Sequence, residues 1–374
     1  MHRPAITGTG VFTPPNVITN AELVAAFNAY VDLFNAEHAT TIAAGDTQAL
    51  TYSSEAFIAK ASGIMQRHVI DKTGILDPHV MHPLLRQRGD DEPSLMAEMG
   101  VDAANKALEQ AGRTAAEVDL VICAASNMER AYPAIAIEIQ QLLGAQGFGF
   151  DMNVACSSAT FGIQAAADML RAGSIRRALV INPEICSAHL EWRDRDCHFI
   201  FGDVATAVLI ERVEDAQGPA FEIKSTRCAT DFSNNIRNNN GYLRRSRPAG
   251  MADRRDMQFM QNGRKVFKEV LPLVAAHIAD HMQDEDLTAA HLQRLWLHQA
   301  NKGMNDFIGR KVLGRDPTPT EQPNILQDYA NTSSAGSIIA FAEHSADLPD
   351  GAQGLICSFG AGYSVGSVIV EKHG

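Results

Sequence analysis

The sequence has no long apolar run, no excess of positive charge, no paired-cysteine motif and no complete glycine-rich nucleotide fingerprint. Nowhere does it approach the roughly 18 consecutive apolar residues of a membrane helix, and Met1-His-Arg-Pro-Ala-Ile-Thr lacks the apolar core of a signal peptide. A soluble, cytoplasmic chain with no membrane partner is expected. The formal net charge of -12 over 374 residues argues against a nucleic-acid partner, which needs a basic surface. Six cysteines (Cys123, Cys156, Cys186, Cys197, Cys228, Cys357) are scattered without a C-x-x-C pair, several of them in apolar runs. Reduced thiols fit this pattern best. Gly8 and Gly10 follow the first apolar segment, but the third glycine and the helix start of a dinucleotide site are missing. Metal is equally unsupported. His79 and His82 share a loop without a third ligand and read as solvated, and His277 and His281 lack the companion Glu of a helical zinc motif and read as surface or partner-contact residues.

What is present is core-forming material: 45% of the residues are hydrophobic, enough for one large domain or two similar halves. The strand Ala5–Phe12 leads to a helix opened at Thr19-Asn20, with Asn20 the expected cap. Patterning then weakens from about 25 to 92. It resumes with a helix over 93–111, a buried strand over 118–125, a helix over 134–143, and strands over 177–182 and 205–211. The second part repeats this order: a strand from Ala220, an irregular segment over 232–248, a long helix over 261–282, a strand over 292–298, helices to about 313 and from Asn331, and closing strands over 353–359 and 363–371. Alternating strands and helices predict an α/β protein with helices on both faces of a mixed sheet. The repeated order predicts an N-terminal half, 1–215, with an inserted segment around 25–92, and a C-terminal half, 216–374, related by pseudo-twofold symmetry.

The chain is organised around Gly147 to Leu170, read as a short buried strand followed by a helix with apolar residues at Ala159, Ile163, Ala166 and Leu170 and a capping Gly173. Cys156 falls at the junction. Unpaired backbone N–H groups and the positive end of the helix dipole are expected to favour its thiolate. Two further polar residues stand where strands end or helices begin: His298 in Leu297-His-Gln-Ala-Asn301 and Asn331 in Asn331-Thr-Ser-Ser-Ala-Gly-Ser337. The turn Phe359-Gly-Ala-Gly-Tyr363 adds exposed N–H groups.

Together these segments resemble the β-ketoacyl-acyl-carrier-protein synthase III group of the thiolase superfamily. Thr7-Gly-Thr-Gly10, Tyr132-Pro133, Phe201-Gly-Asp203 and Gly263-Arg-Lys-Val-Phe-Lys268 fall in the same order. The resemblance implies a thiolase-like fold of five α-β-α-β-α layers and a decarboxylating condensation of an acyl-CoA primer with malonyl-acyl-carrier protein. Cys156 would be the nucleophile, the backbone N–H groups of Cys156 and Ala361 the oxyanion donors, and His298 and Asn331 the neutral donors to the enolate. It further implies a homodimer in which Tyr132 reaches the neighbouring acyl tunnel, and a basic rim for the acidic carrier protein at Lys268, Arg310 and Lys311. No cofactor is implied. Arg244, Arg245 and Arg247 are weaker candidates for CoA phosphates.

Two departures bear on substrate. Lys60-Ala-Ser-Gly-Ile64 carries Ala61 where the family has the Arg of its adenine-gripping pair. The nucleophile segment reads Ala-Cys-Ser-Ser rather than Ala-Cys-Ala-Gly. With the insertion, these point to a reshaped acyl tunnel and a primer longer than acetyl. The competing readings are acyl transfer or head-to-head condensation on the same fold, a Cys-His-Asn hydrolase of the papain kind, and a non-catalytic acyl-binding relative.

Overall fold

The computed structural model of the protein describes residues 2–246 and 255–374. Nine strands form one sheet: β1 (Pro4–Phe12), β2 (Leu120–Ala124), β3 (Phe148–Met152), β4 (Arg177–Ile185), β5 (Asp203–Arg212), β6 (Ala220–Ser233), β7 (Leu292–Leu297), β8 (Gln353–Gly360) and β9 (Gly362–His373), in the order β7-β8-β9-β6-β1-β5-β4-β2-β3. On one arm β2 and β4 are parallel, while β4, β5 and β1 run antiparallel in turn. The other arm repeats the scheme: β7 and β8 are parallel, and β8, β9 and β6 alternate. A short pairing of Ala5 and Ile6 with Glu222 and Phe221 joins the arms.

Residue alternation along each strand dictates the layers. Leu120 and Ile122 of β2, with Trp296 and Ile356 of β7 and β8, face a shared core around α5 (Ser158–Arg171) and α8 (Gly336–Glu343). Val121 and Leu179 point the other way, onto α3 (Leu95–Gln110) and α4 (Ile135–Leu143). Leu295 and Leu355 likewise meet α6 (Gly263–Asp284) and α7 (Lys302–Leu313). The result is helix, sheet arm, helix pair, sheet arm, helix. Gly8 and Gly10 serve this packing: a Cβ on them would stand 2.0 Å from the Ala107 carbonyl oxygen and 1.9 Å from that of Ala103. Side chains there would push α3 off β1.

The weakly patterned segment is structured. It holds α1 (Asn20–Glu37), α2 (Glu55–Ser62) and a ribbon of Asn16–Thr19 with Gln66–Val69. Its core residues Leu23, Phe27, Ile58 and Val69 pack with Trp192, Phe199 and Phe201. Thr19, not Asn20, caps α1, forming a reciprocal capping box with Glu22. Asn20 is instead buried, its amide donating to the Ile64 carbonyl and accepting from Arg67. β3 also differs from expectation. It is an edge strand with Phe148 47% exposed, because β2 covers only one of its sides. His277 and His281 are buried rather than superficial. Both bond the Ser367 hydroxyl, at 3.0 and 2.6 Å, and His281 also meets Ser225 at 2.9 Å. α6 is amphipathic, and these two residues lie on the face turned to β9.

Candidate active site

Cys156 sits on a single 3-10 turn, Ala155–Ser157, between β3 and α5. The turn is sharp: Ala155 has φ 47°. The unusual Ser-Ser pair that follows is structural. Ser158 accepts from the Val154 N–H at 2.9 Å and donates to the Ala155 carbonyl at 2.7 Å, tying the turn to the helix start. Ser157 bonds the Ser364 hydroxyl at 2.9 Å, and Ser364 also donates to the Ala361 carbonyl at 2.8 Å. This latch brings the β8–β9 turn onto the turn that carries Cys156. There the backbone N–H groups of Ala361 and Cys156 face the Cys156 sulfur. Gly360 admits the sulfur, since a Cβ at 360 would stand 2.7 Å from the Cys156 Cβ and 3.0 Å from its Sγ.

Ser333, which sequence reasoning did not single out, binds the cluster together. Its hydroxyl donates to the Cys156 Sγ at 3.4 Å. Its backbone N–H donates to the Asn331 Oδ1 at 2.8 Å, so the amide group of Asn331 remains as a donor. Its main chain also lies against the His298 ring. Ser333 has φ 51°, and that backbone kink turns its N–H back toward Asn331. The only sequence signal was its place inside Asn331-Thr-Ser-Ser-Ala-Gly.

Asn331 is held from the first arm as well. Its N–H donates to the Ile200 carbonyl at 3.0 Å, and its own carbonyl accepts from Gly202 at 3.1 Å. Phe201-Gly-Asp203 is therefore a splint for Asn331. Asp203 fixes that splint, accepting from Ser187 and from the Ile70 N–H at 3.0 Å while fully buried. His298 is 2% exposed, and its Nδ1 makes no hydrogen bond. Its neighbours in Leu297-His-Gln-Ala-Asn301 are structural: Gln299 bonds the Leu297 carbonyl and the Ile325 N–H. Asn301 caps α7 and donates to the Ala61 carbonyl at 2.5 Å.

Electrostatics correct one expectation. The Cys156 thiol is pushed up to about 11, not down. Burial is the largest cause and the Glu184 charge adds to it, while the Ser333 hydroxyl and the N–H groups of Ala361 and Cys156 pull the other way. A helix start favours the thiolate, but here desolvation by burial outweighs it. His298 is lowered to about 4 by burial, against a smaller upward pull from the Ser333 backbone. It is a neutral imidazole at neutral pH. Both groups are thus uncharged in the resting site.

The remaining candidates lie apart from this cluster. Tyr132 is 84% exposed on the loop before α4. Lys268 is exposed on the first turns of α6. Arg310 pairs with Asp316 at 2.6 Å, and the Lys311 ammonium lies over the Phe307 ring. Arg244 is half-buried and lines a cleft of about 1750 Å3 together with Arg86, Arg130 and Tyr242. Arg247 and the Arg245 side chain lie outside the described residues. Among the described residues no three His, Cys, Asp or Glu side chains gather as metal ligands, and no helix is long and apolar enough to cross a membrane.

Comparison with known proteins agrees with this geometry. Residues 150–231 match the family profile described as 3-Oxoacyl-[acyl-carrier-protein (ACP)] synthase III, and residues 282–372 match its C-terminal counterpart. The beta-ketodecanoyl-[acyl-carrier-protein] synthase of Pseudomonas aeruginosa is 56% identical over 93% of this chain and 99% of its own length. The beta-ketoacyl-[acyl-carrier-protein] synthase III of Acidiphilium cryptum is 33% identical over 99% and 100%. A crystal structure of the Aquifex aeolicus 3-oxoacyl-[acyl-carrier-protein] synthase III superposes with TM-score 0.77 at 24% identity, covering 98% of this chain and 99% of that one. A thiol on a strand-helix turn, an imidazole and a carboxamide meeting at one serine, on a fold shared with these enzymes, place the chain in the β-ketoacyl-acyl-carrier-protein synthase III family of thiolase-like condensing enzymes.

Proposed function

We propose that this condensing enzyme is primed by a medium-chain acyl-CoA, carries the acyl group on Cys156, and extends it with malonyl-acyl-carrier protein to a 3-oxoacyl-acyl-carrier protein. The observation that carries the residue roles is the convergence of Cys156, Asn331 and His298 on Ser333. The support for primer length is the 56% identical relative, whose name specifies a ten-carbon 3-oxoacyl product. Two of those carbons come from malonate, which leaves an eight-carbon primer.

In the first stage the Cys156 sulfur attacks the acyl-CoA thioester. The raised thiol pKa means that its proton leaves during attack, and the neutral His298 imidazole takes it and returns it to the departing CoA sulfur. The N–H groups of Cys156 and Ala361 hold the developing oxyanion. In the second stage the malonyl thioester loses CO2, and the C–C electron pair moves to an enolate. His298 and Asn331 donate hydrogen bonds to its oxygen. Neither carries a charge that would repel the malonyl carboxylate or the enolate. The enolate carbon attacks the acyl-Cys156 thioester, the C–S bond breaks, and the released sulfur takes up one proton drawn from solvent.

Two partners complete the proposal. The edge strand β3 and helix α4 present Phe148, Ile137 and Leu142, each 43–48% exposed, beside Tyr132. A second copy of the chain would cover this face and place Tyr132 at its neighbour's acyl site. Arg264, Lys265 and Lys268 on α6 are exposed and, among the described residues, free of ion pairs, with Phe267 48% exposed beside them. With Arg310 and Lys311 they would offer the acidic carrier protein a basic rim on an acidic enzyme, in a cytoplasmic setting. The test is intact-mass spectrometry after exposure to acyl-CoAs from two to sixteen carbons, then addition of malonyl-acyl-carrier protein. The expected result is a dominant eight-carbon adduct, absent in Cys156→Ala, and a 3-oxodecanoyl-acyl-carrier protein product. An acetyl adduct alone would overturn the primer assignment, and a product retaining no malonyl carbons would overturn the condensation.

A further inference from the structure

Below the cluster lies a carboxylate that the chemistry above does not use. Glu184, 1% exposed, stands near the end of β4 on the first arm. Its oxygens accept from the Ser126 N–H at 3.0 Å and the Ser126 hydroxyl at 2.5 Å. They also accept from the Ser334 N–H at 3.2 Å and from the Ser334 hydroxyl. Four donors converge on one carboxylate, two from the loop after β2 and two from the turn that carries Asn331 and Ser333. A buried carboxylate is costly unless it is hydrogen-bonded in this way, and a serine or an alkyl group in its place could not accept from both sides. Its other neighbours are the thiols of Cys186, 3.9 Å from Oε2, Cys156 and Cys123. Among the described residues no cation pairs with it; the four serine donors and the Cys186 thiol hold it.

Ser334 follows Ser333 directly. Fixing the Ser334 N–H and hydroxyl fixes the kinked Ser333, and Ser333 in turn orients the Asn331 amide and reaches the Cys156 sulfur. We propose that Glu184 is a positioning residue: it clamps the Ser333-Ser334 turn of one arm to the nucleophile-bearing arm and thereby sets Asn331 against Cys156. Glu184 touches no substrate. It acts through Asn331, and this role rests on the condensation reading above. A lone carboxylate in β4, a strand whose other polar residues are Arg177 and Asn182, was the sequence signal for it.

The test is a mutant cycle in the full-length protein, reading CO2 release from malonyl-acyl-carrier protein. Glu184→Gln keeps the volume but swaps an accepting oxygen for an NH2 group that faces donors. Its kcat is expected to fall roughly 10- to 100-fold, with KM within about twofold. In the Asn331→Ala background the same change is expected to cost less than about twofold, because the group it positions is gone. Equal losses in both backgrounds would identify a general structural role and overturn the proposal, as would an unchanged kcat in Glu184→Gln. If that variant does not fold, Ser334→Ala takes its place in the cycle. It keeps the backbone donor, and a roughly threefold to tenfold loss that vanishes with Asn331→Ala is expected. Full additivity there would again overturn the proposal. A wild-type chain that releases no CO2 would instead sink the functional reading, and this role with it.

Discussion

In the proposed mechanism two demands oppose each other at Cys156. The acyl intermediate needs a dry, closely packed sulfur, while attack on a thioester needs the sulfur to lose its proton. Packing prevails in the resting state, with the thiol pushed up to about 11, and the proton must move in step with attack. In the proposed mechanism Asn331 serves only the second half-reaction. Asn331→Ala is therefore expected to slow malonyl decarboxylation by about 100- to 1000-fold while self-acylation of Cys156, followed by intact mass, persists. Loss of the adduct in that variant would contradict the division of labour. Gly360 is constrained by steric room alone. Gly360→Ala places a methyl 3.0 Å from the Cys156 Sγ, and the acylation rate should fall roughly 100-fold without loss of fold by circular dichroism.

At the level of elements, the site is a meeting of four chain turns, each locked by local chemistry. The β3–α5 turn is held by Ser157 and Ser158, the β8–β9 turn by Ser364, the β7–α7 turn by Gln299, and the turn before α8 by the Phe201-Gly-Asp203 splint. The layers behind them depend on close approach. Replacing Gly10 with Ala would drive a methyl to 1.9 Å from the Ala103 carbonyl oxygen, and α3 would have to lift from β1. A loss of about 3 kcal/mol in urea unfolding is expected. The Thr19 cap is a smaller device. Thr19→Ala removes its half of the capping box and should cost about 1 kcal/mol, with no change in condensation rate.

Over the whole molecule, burial of titratable groups sets the response to acid. His189, His198, His277, His281 and His298 are all lowered to about 4 by burial. Their unfolded forms titrate near 6.5, so as pH falls the unfolded chain takes up protons first. The stability these residues contribute is complete above about pH 6.5 and is lost progressively toward pH 4. Asp203, raised to about 6, and Glu184 and Asp151, also raised by burial, work in the opposite sense. Five histidines against three carboxyls leave acid destabilisation dominant. The urea midpoint at pH 5 should lie below that at pH 7.5. An equal or higher midpoint at pH 5 would show that the histidines are not held neutral.

Much of this was legible in linear order. Strand and helix alternation announced the layers, because the apolar period is local and each face is filled by whatever packs on it. Cys156, His298 and Asn331 were legible because each is a reactive or polar side chain placed where a buried strand ends or a helix begins. The caps and latches were less so. Thr19 and Asn20 are both good capping residues, and only the approach of Arg67 and the Ile64 carbonyl gives Asn20 a different task. His277 and His281 looked like surface residues until Ser225 and Ser367 arrived from other strands. The sequence by itself determined the α/β order and the three reactive side chains. The tertiary structure alone decided their ionisation and alignment, since desolvation, the Ser333 contact and the Glu184 clamp arise from groups up to 177 positions apart in the chain, which no local pattern records.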